Sequence, residues 1–77
     1  MTDKHSHLVK RSLRVNGLPT SIALEAEFWT EFDCTAAREG VSGPKLATVI
    51  DATRHGKQSL ASAVRCYLLT HVIGLIQ

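Results

Sequence analysis

The sequence is poor in cysteine: its 77 residues include only two, Cys34 and Cys66. Both lie in segments whose apolar residues recur at helical spacing. Small extracellular domains that depend on disulfides carry four or more cysteines among loops and turns. The composition therefore argues against a secreted, disulfide-stabilised domain. We interpret both cysteines as small buried side chains of a reduced, cytoplasmic protein.

Metal-binding and catalytic patterns are also missing. Among the histidines only His5 and His7 form a close pair, whereas a structural zinc site needs a second close pair of ligands. The sequence has no glycine-rich phosphate loop, no serine-elbow motif and no pair of carboxylates beside a base. We therefore predict no metal, no cofactor and no enzymatic activity, and we assign residues 1–8 to a disordered polar tail.

No hydrophobic run is long enough to cross a membrane. The most apolar stretch, residues 67–76, is interrupted by Thr70, His71 and Gly74, and a span needs about 20 mostly apolar residues. The first residues lack the apolar core of a signal peptide. The sequence therefore predicts neither a membrane partner nor export.

The apolar content of the chain, in contrast, is high, at 44% of the residues. A chain this short buries only about 60% of its unfolded surface, so its core is marginal without further support. With disulfides and metal set aside, oligomerisation is the remaining support. Leu69, Ile73 and Ile76 lie off the main apolar face of the last segment, and a second copy is their simplest cover. We therefore predict a homodimer.

The net charge of +2 is unevenly distributed along the chain. Residues 1–24 carry four basic residues against one acidic residue, residues 25–39 carry one against five, and residues 40–77 carry four against one. This basic, acidic, basic order allows a positive surface at one end of a nearly neutral domain.

Two short strands are predicted at the start of the chain. Over residues 9–15 apolar and polar side chains alternate, with only Arg11 on the apolar side, which indicates a strand with one polar face. Residues 16–17, Asn-Gly, predict a turn that ends at Pro19, and a second strand follows over residues 20–24. The polar face of the first strand comprises Lys10, Ser12, Arg14 and Asn16, and the outward positions of the second strand are Ser21 and Ala23.

Helical signals fill the rest of the chain. The first helix is predicted over residues 25–39, with Gly40 as its stop signal. Ser42 caps a second helix that fades near Arg54, and Ser59 caps a third. Apolar residues at helical spacing mark the buried face of each helix. In the third helix that face comprises Leu60, Ala63, Val64, Tyr67, Leu68 and Val72.

The order strand, helix, helix, with a basic strand leading in, resembles the ribbon-helix-helix (Arc/MetJ-like) DNA-binding family. The resemblance is carried by residues 20–29, which run from Thr-Ser-Ile into the first helix, and by the bend at residues 39–42. Within that superfamily the chain is similar to a bacterial subgroup of small ribbon-helix-helix domain proteins. The subgroup's motifs are Val-Lys-Arg-Ser at residues 9–12 and the serine-rich helix start at residues 59–65. The resemblance covers roughly residues 9–72.

The resemblance implies a mostly α-helical fold over residues 9–77. Two intertwined chains share a short N-terminal β-ribbon, and each adds a hairpin strand and a C-terminal helix. It also implies a dimeric, sequence-specific transcriptional regulator, such as a repressor, whose ribbon enters the major groove of double-stranded DNA. The implied DNA contacts are Lys10, Arg11, Ser12, Arg14, Ser21, Ala23, Ser42, Gly43 and Lys45. The implied dimer core consists of Ile22, Leu24, Phe28, Trp29, Phe32, Leu46, Val49 and Ile50.

A protein-interaction module is the alternative function. In that hypothesis the dimer is a scaffold, and the third helix or the acidic first helix docks a protein partner, as in an antitoxin or an adaptor. The apolar excess on the third helix supports it, although packing within the dimer explains the same residues. An affinity for duplex DNA that falls as the salt concentration rises would distinguish the regulator from the interaction module. The sequence leaves open the DNA site, any effector, tetramer formation, and which strand forms the ribbon between subunits.

Overall fold

A computed structural model of the chain describes residues 7–75. Two strands, β1 (Leu8–Val15) and β2 (Leu18–Glu25), precede three helices, α1 (Ala26–Glu39), α2 (Gly43–Asp51) and α3 (Leu60–Leu75). The predicted order of a hairpin followed by helices is confirmed. Residues 1–6 of the predicted tail lie outside the described residues, and Leu8 is the first residue of β1 rather than part of a tail.

The two strands form an antiparallel hairpin closed by a two-residue turn. Val15 lies opposite Leu18 at the turn, and the pairing continues in register to the far ends of both strands. Asn16 and Gly17 have φ angles of 56° and 83°. Two left-handed residues in succession are typical of a type I′ turn, whose twist matches that of the strands and which Asn-Gly favours. The predicted turn is therefore confirmed.

The second strand is longer than the sequence predicted, because it begins at Leu18 and includes Pro19. We expected Pro19 to end the turn outside the strand, and this was wrong. In a two-residue hairpin the closing pair, Val15 and Leu18, is hydrogen-bonded, so the next pair, Arg14 and Pro19, is not. A proline lacks an N–H donor, and this position requires none from it.

Capping signals in the sequence mark most of the helix ends. Gly40, with a φ of 68°, closes α1, in the conformation that glycine adopts without strain. Ser42 precedes α2 and Ser59 precedes α3, and each hydroxyl accepts a hydrogen bond from the amide three residues further on. The first helix begins at Ala26 rather than at residue 25, because Glu25 has extended backbone angles and still belongs to β2.

Side chains from every strand and helix meet in one core beside the hairpin. Trp29 is prominent in it: its ring meets the ring of Phe32 edge to face, with centroids 5.2 Å apart. The Trp29 indole N–H donates a hydrogen bond of 2.6 Å to the carbonyl of Val9 on β1. Burial of apolar surface is the main favourable term in folding. The buried apolar residues are Val15, Ile22, Leu24, Trp29, Phe32, Ala36, Leu46, Ala47, Ile50, Ala63, Val64 and Leu68.

Large apolar side chains nevertheless remain exposed on the single chain. Leu69 and Ile73 on α3 are 54% and 48% exposed, as expected from their position off the main apolar face of that helix. Ile76 lies outside the described residues. Val49 on α2 and Leu18 beside the turn are also exposed. These residues are available to a second copy, and the dimer stays a prediction.

Both cysteines are exposed, so the prediction that they are buried was wrong. Helical spacing placed Cys34 and Cys66 on helices without deciding which side of the helix they face. The buried side of α1 contains Trp29, Phe32 and Ala36. With about 100° between successive residues, Cys34 lies roughly 160° from Phe32 around the helix, on the solvent side.

Candidate nucleic-acid interface

The hairpin has two chemically different faces, because side chains alternate along each strand and directly paired residues share a face. On the face turned away from the helices, Lys10 lies opposite Ala23, and Ser12 lies opposite Ser21. Arg14 continues the same row, and only Ala23 in this set is half-buried while the others are exposed. We call the side chains of Lys10, Ser12, Arg14, Ser21 and Ala23 the outer face.

The outer face carries positive charge at both ends of β1. Lys10 and Arg14 are four residues apart, which is about 13 Å along a strand. Within residues 7–75 no ion pair involves either side chain. The Arg14 Nη1 group donates a hydrogen bond of 2.9 Å to the carbonyl of Gly17, which orients the guanidinium beside the turn. Its remaining N–H donors suit phosphate or carboxylate oxygens.

The acidic residue at the far end of the same face, Glu25, is neutralised by Arg65 of α3. The Arg65 Nε group donates to the Glu25 carboxylate at 2.9 Å. This hydrogen bond is the main reason that the pKa of Glu25 lies below its ordinary value. The guanidinium also lies 5.8 Å from the centre of the Phe28 ring. The net field of the outer face is therefore basic.

Arg11, a predicted DNA contact, lies on the opposite face of the hairpin. Its guanidinium donates two hydrogen bonds to the Asp33 carboxylate, at 3.0 and 3.1 Å, and lies 4.5 Å from the centre of the Trp29 ring. The hydrogen bonds to Asp33 raise the pKa of Arg11. The sequence already indicated this face, because Arg11 occupies the same alternate positions as the apolar residues of the predicted strand. Its structural partner is α1.

The predicted phosphate contacts on α2 lie on the helical side of the hairpin. A Cβ atom added to Gly43 would meet the Phe32 ring at 3.5 Å and Leu13 at 4.0 Å. The Ser42 hydroxyl is engaged in capping, since it accepts a hydrogen bond of 3.2 Å from the Lys45 amide. The Lys45 side chain is exposed. The structure therefore does not bring these residues together with the outer face.

Most residues predicted for the dimer core already belong to the core of the single chain. Phe28 is partly buried beside that core, and Val49 is 39% exposed on α2. Their burial by a second copy stays a prediction. The predicted residues that the single chain buries are Ile22, Leu24, Trp29, Phe32, Leu46 and Ile50.

Two concave surfaces lie elsewhere on the chain. A cleft of about 300 Å³ beside the loop between α2 and α3 is lined by His55, Gln58, Cys66 and Tyr67, among others. The second is an apolar groove between α1 and α3. Within residues 7–75 no cluster of histidine, cysteine and acidic side chains is suited to a metal ion. No helix in the same range is long and apolar enough to cross a membrane.

An antiparallel ribbon with a basic outer face, followed by helices that pack on its inner face, defines a class of small ribbon-and-helix proteins. The sequence matches the family model of the ribbon-helix-helix domain over residues 8–72. The chain belongs to this family, whose domains generally bind DNA as dimers in transcription regulation and are typically not enzymes. No curated protein and no solved structure gives a significant match.

Proposed function

We propose that the protein is a dimeric, sequence-specific transcriptional regulator of the cytoplasm, and that its outer face contacts the major groove of DNA. The register of the hairpin carries this proposal, because it places the polar row of β1 directly beside Ser21 and Ala23 of β2 on one exposed face. A two-stranded β-ribbon is one of the elements that the major groove admits.

The chemistry of the outer face divides into two kinds of interaction. Lys10 and Arg14 supply charge for phosphate oxygens, which provides affinity without sequence information. Ser21 can donate or accept a hydrogen bond at a base edge, and Ala23 can contact the methyl group of thymine. Small side chains at these two positions also allow the backbone of the ribbon to approach the bases closely.

The dimer is supported by two observations and one physical argument. Domains of this family generally function as dimers. The chain leaves Leu69, Ile73 and Val49 exposed. DNA-binding dimers also double the number of phosphates that are neutralised, and salt-dependent affinity rises with that number. One copy of Lys10 and Arg14 alone would give a weak complex.

The test is a titration of a fluorescently labelled duplex pool at two salt concentrations. Lys10→Ala and Arg14→Ala should each weaken binding and lower the slope of log affinity against log salt, by about 0.9 for each phosphate that is no longer neutralised. Lys57→Ala and Arg54→Ala are the matched controls. Lys57 lies in the loop between α2 and α3, and Arg54 is paired with Asp51 at 2.9 Å. Equal decreases in affinity from both sets would indicate diffuse attraction and would contradict the assignment of the outer face.

Ser21→Glu provides the finer test of the same face. The position is exposed, so the substitution should leave the fold intact while it places a negative charge against the groove. Retention of full duplex affinity would contradict an interaction at β2 and leave β1 as the binding strand.

A protein-interaction module is the second candidate, and the groove between α1 and α3 favours it. Phe28, Leu68, Leu69 and Val72 provide its apolar surface, and Glu27 and Glu31 also line it. A wild-type protein without salt-dependent duplex affinity would support this candidate over the regulator.

A further inference from the structure

We infer that the cleft beside the loop between α2 and α3 binds a small planar aromatic carboxylate. The cleft has a volume of about 300 Å³, which is at the lower end of the range for ligand sites in proteins. Its walls come from that loop and from α3, whereas the outer face is formed by the hairpin. The site is therefore separate from the proposed DNA contacts, and the inference does not depend on the proposed function.

The loop that forms one wall is held in place by its own hydrogen bonds. The Gln58 amide donates to the His55 carbonyl at 2.9 Å, and the Gln58 Oε1 atom accepts from the His55 amide at 3.3 Å. The Arg54 Nη1 group donates to the Gln58 carbonyl at 3.2 Å, and its Nε group lies 2.9 Å from the Asp51 carboxylate. A wall that is ordered before a ligand arrives lowers the entropic cost of binding.

The other wall presents a flat aromatic surface. Tyr67 and His71 lie one helical turn apart on α3, and their rings stack with centroids 4.3 Å apart and planes 24° apart. Each ring nitrogen of His71 lies near an acceptor: Nδ1 is 3.1 Å from the Tyr67 carbonyl, and Nε2 is 3.2 Å from the Glu39 carboxylate. These contacts hold the imidazole in its stacked position. Because aromatic rings favour offset stacking, a planar ligand ring can extend this pair.

The charges around the cleft favour an anion. Residues 52–75 include no aspartate or glutamate, and no acidic side chain is among the residues that line the cleft. The same segment carries Arg54, Lys57 and Arg65. Both arginines are paired with acidic residues, but within residues 7–75 Lys57 has no ion-pair partner. A carboxylate that enters the cleft therefore meets a positive field and no like charge.

Hydrogen-bond donors of the lining are available to the carboxylate oxygens. Within residues 7–75 the His55 ring and the Tyr67 hydroxyl have no hydrogen-bond partner. Burial raises the pKa of Tyr67, so its hydroxyl stays protonated and can donate. The Gln58 Nε2 group makes only long contacts, 3.4 Å to the Ser62 Oγ atom and 3.9 Å to the Cys66 Sγ atom. Donors of these kinds suit an ionised carboxylate, which only accepts hydrogen bonds.

A nuclear magnetic resonance titration of the full chain with related compounds tests the site. Benzoate has both a planar ring and a negative charge, benzamide has the ring without the charge, and cyclohexanecarboxylate has the charge on a non-planar ring. Benzoate should bind with a Kd on the order of 1 mM or lower and should shift the amide signals of residues 53–58 and 66–71. Benzamide and cyclohexanecarboxylate should each bind at least about threefold more weakly.

Two variants separate the stacking from the hydrogen bonding. Tyr67→Leu keeps an apolar side chain but removes the ring, so benzoate should bind about fivefold more weakly and lose its advantage over cyclohexanecarboxylate. His55 is exposed, so His55→Ala should leave the fold intact and should reduce the advantage of benzoate over benzamide. His7→Ala is the matched control, since His7 is also exposed and lies before β1, away from the cleft.

The same titrations give the results that would overturn the inference. Equal affinities of the wild type for benzoate and benzamide would exclude an anion site, and equal affinities for benzoate and cyclohexanecarboxylate would exclude the aromatic wall. Signal shifts spread over the whole chain, or equal losses of benzoate affinity from His7→Ala and His55→Ala, would show that benzoate does not bind in the cleft. None of these measurements involves DNA, so their failure would leave the proposed function as it stands.

Discussion

The packing of Trp29 allows a prediction whose size follows from its surroundings. The side chain is 2% exposed, and an aromatic ring buried to this extent removes roughly 200 Å² from water, which corresponds to about 5 kcal/mol. Truncation leaves a methyl group and a partly collapsed cavity, for which buried aromatic residues typically give about 3–5 kcal/mol, so we expect about 4 kcal/mol for Trp29→Ala. Small domains have only about 5–15 kcal/mol of total stability. Trp29→Ala should therefore remove a large part of the stability of the fold.

A second substitution separates the ring from its hydrogen bond. Trp29→Phe keeps an aromatic ring beside Phe32 and Arg11 but removes the indole donor to the Val9 carbonyl. Loss of one such bond costs about 0.5–1.5 kcal/mol, and the smaller ring adds a cavity of similar cost. We therefore expect Trp29→Phe to lie about midway between the wild type and Trp29→Ala.

Urea denaturation at a fixed protein concentration measures both variants. The signal should be far-ultraviolet circular dichroism, because Trp29 is the only tryptophan and its loss removes the fluorescence reporter. Two alanine substitutions in the same helix serve as the control. Phe28 is partly buried and Phe32 is buried, so Phe28→Ala should lower the free energy of unfolding by less than Phe32→Ala does. A decrease of less than about 1 kcal/mol in the unfolding free energy of Trp29→Ala would refute the expectation, because it would show that Trp29 is not a core residue of the fold.

Three further predictions use other features of the chain. The melting temperature should rise with protein concentration, since two copies share apolar surface, and a folded monomer at micromolar concentration in sedimentation would contradict this. The pKa of Glu25 is lowered by the hydrogen bond from Arg65, so this interaction stabilises the fold above the ordinary carboxyl pKa and is lost as the pH falls through the lowered value. The urea midpoints of the wild type and Arg65→Ala should therefore converge in acid. Gly17→Ala should lower the free energy of unfolding by about 1 kcal/mol because the φ angle at this position is 83°. Gly74→Ala lies in a helix with open space around it and should raise the free energy of unfolding by a similar amount. Equal effects of the two substitutions in urea denaturation would refute the turn geometry.

Local signals in the sequence were sufficient for the hairpin and the helix ends. Asn16-Gly17 specifies its turn through backbone angles that few other dipeptides adopt. Gly40, Ser42 and Ser59 act on the amides and carbonyls nearest to them in the chain. Interactions of this kind depend on neighbours in sequence, so a sequence is enough to predict them.

Features that depend on distant contacts were not predictable in the same way. Pro19 fits inside β2 because it falls in a pair of residues that is not hydrogen-bonded. The turn, and not the proline, determines which pairs of the hairpin are hydrogen-bonded. The exposure of Cys34 and Cys66 depends on which side of each helix meets the core. The spacing of apolar residues predicts which large side chains form the buried face of a helix. It does not decide whether a small side chain at the edge of that face is buried or exposed.

The contrast between Lys10 and Arg11 shows how one strand can serve both packing and binding. The two residues are adjacent and equally charged, yet alternation along β1 directs them to opposite faces. Arg11 stacks over Trp29 and pairs with Asp33, so its charge is compensated within the fold. Lys10 has no ion-pair partner within residues 7–75, and its charge contributes to the field of the outer face. A shift of the register by one residue would exchange these roles. The turn that sets the register therefore also determines which positive charge is available to a ligand.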